Sequence, residues 1–138
     1  MDTTLLLVFA GVIVAGLILI IIMTTGRSAS KLLNKEAYQK DWLAIEMSVG
    51  SDASSQQFAI IQADKLLDRA LRERGYKGET MGERMTAASR TFTRRDAVWT
   101  AHKLRNRIAH DDHVTINASL TKKALASFKK ALKDVGAI

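Results

Sequence analysis

Nineteen consecutive residues, Leu5 to Met23, carry no charge and no strongly polar side chain. A helix rises about 1.5 Å per residue, so a run of this length spans close to the ~30 Å hydrocarbon core of a bilayer. A soluble helix seldom stays apolar on every face for five turns, because one side of it meets water. The run therefore predicts a transmembrane helix over residues 5–23. A cleaved signal peptide is the competing reading, and Ser28-Ala29-Ser30 has the small residues of a cleavage site. Such a leader wants a basic start and a shorter apolar stretch, whereas Met1-Asp2-Thr3-Thr4 is acidic.

Charge orients the span. No Lys or Arg precedes it, while Arg27, Lys31, Lys35 and Lys40 follow closely. The positive-inside bias then predicts a short extracytoplasmic N-terminus (1–4), a linker (24–30) and a cytoplasmic domain (31–138) at the cell membrane. All 21 Lys and Arg and 13 of the 14 acids lie from Arg27 onward, giving that part a net charge of +8. A basic domain on a membrane tether has two natural acidic partners, anionic headgroups and nucleic acid. Gly11 and Ala15 form a small-xxx-small pair that would let two spans approach closely, a weak signal in any apolar helix.

The residues after the span read as helices. The chain has no proline and no cysteine, which favours uninterrupted helices and excludes a disulfide framework, a Cys-based zinc site and a thiol nucleophile. Apolar residues at helical spacing predict helices over about 31–49, 55–74, 94–110 and 117–135. Leu33, Ala37, Tyr38, Trp42, Ile45 and Val49 face inward on the first. Phe58, Ile61, Leu66, Leu67, Ala70 and Leu71 do so on the second. Thr80-Met81-Gly82-Glu83 has the form of a capping box and predicts a short helix over about 81–89. Gly75 is a natural stop for the helix before it. The expected fold is an all-α bundle of four long helices and a short one behind a single N-terminal transmembrane helix.

Most catalytic signatures are missing. No phosphate-binding glycine loop, His-Glu-x-x-His or nucleophile elbow is present. His110-Asp111-Asp112-His113 offers nitrogen and oxygen donors, but reads more simply as a polar helix end and turn, so neither metal nor cofactor is expected. One cluster stands out, in Leu104-Arg105-Asn106-Arg107-Ile108-Ala109-His110. At about 100° per residue, Asn106 and His110 share a face one turn apart, and the long Arg105 side chain reaches toward it. Arg107 stacks near His110 at i,i+3. His102 lies one turn before Asn106 on the same stripe. Leu104 and Ile108 point to the other side, into the core.

This cluster, written RNRIAH, resembles the Arg-Asn-x-x-x-His hallmark of HEPN domains, placed as there near the end of a long amphipathic helix. The resemblance extends over about residues 31–138: two long helices, a short one, the motif helix and a Lys-rich last helix. It implies a dimeric helical bundle that cleaves RNA without metal, with Arg105, Asn106 and His110 as catalytic residues. Arg107 falls on a variable position of the motif. With His102 it is a candidate RNA contact. The membrane span departs from the family's freely diffusing toxins. Some HEPN domains only bind, so the alternative is a silent module that holds RNA, a nucleotide or a regulatory protein at the membrane.

The chemistry suits these side chains. RNA carries a 2′-hydroxyl beside each phosphate. A histidine exchanges protons near neutral pH, and a guanidinium grips two phosphate oxygens in a fork. Two motifs facing across a homodimer would supply both a base and an acid.

Overall fold

The computed structural model describes residues 2–25, 32–111 and 113–138. All of the regular structure among them is helical: α1 (Thr3–Thr25), α2 (Lys35–Met47), α3 (Ala53–Glu73), α4 (Met81–Ala87), α5 (Arg95–His110) and α6 (Ala118–Asp134). The chain divides into two compact units, Met1–Ser30 and Lys31–Ile138. Arg27, Lys31, Asp112 and most of the expected linker (24–30) lie outside the described residues.

The first unit is α1. Its stretch Thr3–Ile21 is long and apolar enough to cross a membrane, and none of it is buried within the protein. An apolar surface on every face of such a helix is what a hydrocarbon core would accommodate. Gly11 leaves open space where a side chain would stand.

The second unit is a helical bundle built around α3, which touches α2, α4, α5 and α6. Its helix starts are set by side chains that accept otherwise unpaired backbone N–H groups. Asn34 accepts from Ala37 N–H (3.1 Å), so α2 begins at Lys35 and not at the expected Lys31. Asp52 accepts from Ser55 N–H (2.9 Å) and starts α3 two residues before its expected Ser55. Thr80 and Glu83 form the expected capping box, and α4 closes at Ala87 instead of Ser89. Asn117 caps α6 through Leu120 N–H (2.9 Å). Gly75 adopts φ 85° just past α3, where Tyr76 N–H returns to Leu71 C=O; that left-handed turn suits glycine.

The core gathers Tyr38, Trp42 and Ile45 of α2, Ile60, Leu67 and Leu71 of α3, Val98 and Leu104 of α5, and Phe128 and Leu132 of α6. Three inward assignments fail. Ala37 is exposed in the first turn of α2, one position before the buried Tyr38. Phe58 is 53% exposed, because the buried stripe of α3 runs through Ala59, Ile60, Ala63 and Leu67, a face turned away from it. Val49 lies beyond the last turn of α2 and is also exposed. Ile108 is only half-buried, one turn further along α5 than the buried Leu104.

Candidate functional site

The buried stripe of α3 carries one acid. Asp64 sits among Ile60, Ala63 and Leu67 and is 3% exposed. A carboxylate in that position is costly unless it is paired and hydrogen-bonded. Its partners come from α5. His102 Nδ1 lies 2.8 Å from Asp64 Oδ1, with both side chains buried. Arg105 Nε lies 3.3 Å from Asp64 Oδ2, close enough for charge pairing although its N–H is not aligned for a hydrogen bond.

Asn106 closes the arrangement. Arg105 Nη1 donates to Asn106 Oδ1 at 3.1 Å. Asn106 Nδ2 then lies 3.2 Å from His102 Nε2. Four side chains thus form a ring: Arg105 to Asn106, Asn106 to His102, His102 to Asp64, and Asp64 back to Arg105. The hydrogen-bond directions follow from the donors available. A guanidinium only donates, so Asn106 presents its oxygen to Arg105 and its NH₂ to His102. His102 Nε2 must then accept, which leaves the ring proton on Nδ1 to be donated to Asp64. The network therefore assigns a neutral Nδ1–H tautomer to His102. Trp99 lies edge-on to the same imidazole, with ring centroids 6.0 Å apart.

Arg105 is held but not hidden. Its side chain keeps 27% of its exposure. Among the described residues nothing hydrogen-bonds its Nη2. Part of the fork is thus spoken for by the protein and part faces solvent.

The remaining motif residues stand apart from the ring. His110 ends α5 and is exposed, and no side chain among the described residues hydrogen-bonds its imidazole. Its place is the last turn of α5, where the unpaired helix carbonyls gather. Arg107 is exposed on α5 without a carboxylate partner among the described residues. Asn106 is engaged with His102, one turn before it, and has no bond to His110, one turn after it.

The sequence stripe His102–Asn106–His110 is therefore present on α5, but its first member is the buried one. Asp64 was not among the expected site residues. The signal that marks it is an acid falling on the apolar stripe of an amphipathic helix, at i+4 from Ile60 and i−3 from Leu67. Beyond the end of α5, Asp111 Oδ1 accepts from His113 N–H (3.0 Å). Among the described residues no three His, Asp or Glu side chains gather as they would around a metal ion.

Comparison of the chain with protein-family models, with curated proteins and with solved structures yields no match, so what the site does has to be argued from its own side chains.

Proposed function

We propose that the chain is a membrane-anchored, HEPN-like endoribonuclease that works without metal, its bundle on the cytoplasmic side of the cell membrane and its active form a homodimer. The observation that carries the reading is the fixing of Arg105. A buried Asp64–His102 pair and Asn106 hold the guanidinium at the surface of α5, with an exposed histidine at the end of the same helix. In this reading Arg105 holds a phosphate oxygen and stabilises charge as the phosphorane forms. His110 takes the proton of the attacking 2′-hydroxyl or returns one to the leaving 5′-oxygen. Asn106 fixes Arg105. His102 orients Asn106 from behind, a positioning role and not an RNA contact. The partner copy provides the second histidine, so that one acts as base and the other as acid.

The test is cleavage of single-stranded RNA by the full chain in detergent, with EDTA present throughout. Cleavage that disappears in Arg105→Ala and in His110→Ala supports the reading. Wild-type protein that leaves RNA intact overturns it.

A second reading is favoured by one feature of the same site. The Asp64 carboxylate already offsets the Arg105 charge, as it would in a module that grips RNA or a nucleotide without cutting it. RNA binding without cleavage by the wild type is the outcome that distinguishes this reading.

A further inference from the structure

A groove of about 800 Å³ runs between α5 and α6. Its floor is made of small and apolar side chains: Ala97, Ala101 and Leu104 from α5, Leu120 and Ala124 from α6. Its rims are cationic. Arg94, Lys103 and Arg107 line it from the α5 side and Lys123 from the α6 side, all exposed and without a carboxylate partner among the described residues. A further lysine on the rim, Lys130, is already paired with Asp134 at 2.6 Å. Asp96 is the one acid among the described residues that line the groove.

From this charge pattern we propose that the α5–α6 groove is a docking site for an acidic amphipathic helix of a partner protein. An apolar floor asks for an apolar stripe, and unpaired cations on both sides ask for carboxylates flanking that stripe. A helix supplies both at matching intervals. Lys103 and Arg107 are one turn apart, about 6 Å along α5, and acidic residues on an incoming helix recur at the same rise. The groove is concave, so a flat bilayer surface does not reach its floor. It also presents no aromatic side chain on which a base could stack, the usual companion of a cationic path for single-stranded RNA. Arg107 belongs to both the groove and the RNRIAH segment, whereas Arg105, turned toward Asp64 of α3, and His110 do not line the groove. The docking itself does not rest on the ribonuclease reading, because the groove binds whether or not the chain cuts RNA.

The probe is a designed peptide with leucines along one helical stripe and glutamates on both flanks, titrated against the full chain in detergent. A peptide of the same leucine pattern with lysines for glutamates and a single-stranded RNA oligonucleotide are run beside it. The expected result is micromolar binding of the acidic peptide alone, weakened by salt. Lys103→Glu with Lys123→Glu should weaken it at least tenfold. Thr100→Trp, an exposed lining residue enlarged to fill the groove, should weaken it comparably at an unchanged melting temperature. If that variant melts early, Ala126→Trp fills the same groove from the α6 side. The proposal is overturned if the acidic peptide does not bind, or if the lysine peptide binds equally well. It is overturned too if the filled groove binds as the wild type does, which makes the attraction mere surface charge. RNA binding that is lost in these variants while the peptide fails to bind makes the groove a nucleic-acid path instead.

Discussion

Asp64 is the residue on which the site turns, because a buried carboxylate imposes order on whatever approaches it. His102→Ala should cost about 1.5–3 kcal/mol, the range for a hydrogen bond to a charged group whose partner is then left short. Arg105→Ala and His110→Ala should behave differently, since both side chains reach the surface. His110→Ala should shift stability by no more than about 0.5 kcal/mol. Arg105→Ala also removes the ionic neighbour of Asp64, so its melt should fall between the two. If the ribonuclease reading is right, both abolish RNA cleavage, and Arg105→Lys fails as well because an ammonium cannot reproduce the fork. Thermal melts and cleavage assays on the same four proteins check this. A His110→Ala protein that melts as early as His102→Ala would make His110 a structural cap. At this scale the sequence revealed Arg105, Asn106 and His102 as neighbours, because helical spacing is a local property. It did not reveal which histidine is buried, since that depends on how α5 is turned against α3. Nor did it reveal Asp64, whose partners lie some forty positions away and meet it only after packing.

At the scale of the helix, the N-termini are written in single residues and the termini in space are not. Asn34, Asp52, Thr80 and Asn117 each stand just before a helix and accept from a backbone N–H in its first turn. Asn117→Ala should cost about 1 kcal/mol, measured by urea denaturation, and an unchanged midpoint would show the cap to be idle. The α5 start is the exception. Thr93-Arg94-Arg95-Asp96 has the look of a cap, yet Arg94, the capping residue, makes no side-chain cap bond. Thr93 instead donates through both its N–H and its hydroxyl to Asp134 Oδ2, each at 2.9 Å, across from the end of α6. No local pattern foretells a bond between residues so far apart in the chain. Burial of Asp134 raises its pKa, but the hydrogen bonds from Lys130 and Thr93 outweigh it and hold the carboxyl below its ordinary 3.8. A folded-state value below the unfolded one stabilises the fold while the carboxylate is charged. That contribution is complete above the ordinary value and fades as pH falls from there through the lowered one. Melting of Asp134→Asn should therefore lie below wild type at neutral pH, and the gap should close in strong acid. A gap that persists at pH 2 would assign the loss to packing.

For the whole molecule, the apolar run was plain in the sequence because its length and composition match what a bilayer would require. Its all-helical companion was equally plain in the hydrophobic periodicity. The orientation we propose puts residues 31–138 in the cytoplasm. Protease added to intact cells should then leave the bundle whole, whereas digestion from outside would reverse the topology. The dimer we propose rests on the need for two proton-transfer groups. Light scattering of residues 31–138 across micromolar concentrations should give twice the protomer mass. A strict monomer at every concentration would remove the composite site.

The ring of Arg105, Asn106, His102 and Asp64 has a consequence that belongs to its connectivity. Four nodes joined in a closed circuit contain one more link than is needed to connect them. Deleting any one node leaves the other three in an unbroken chain, so Arg105 stays tied to α3 or to His102 by the remaining route. Deleting Asp64 and Asn106 together severs both routes at once. The order of the Arg105 Nε–H, read by NMR relaxation, should therefore fall modestly in Asp64→Asn and in Asn106→Ala but collapse in the double variant, a coupling well beyond additivity. Strictly additive losses would mean that the circuit is open in solution and that one route alone holds the arginine.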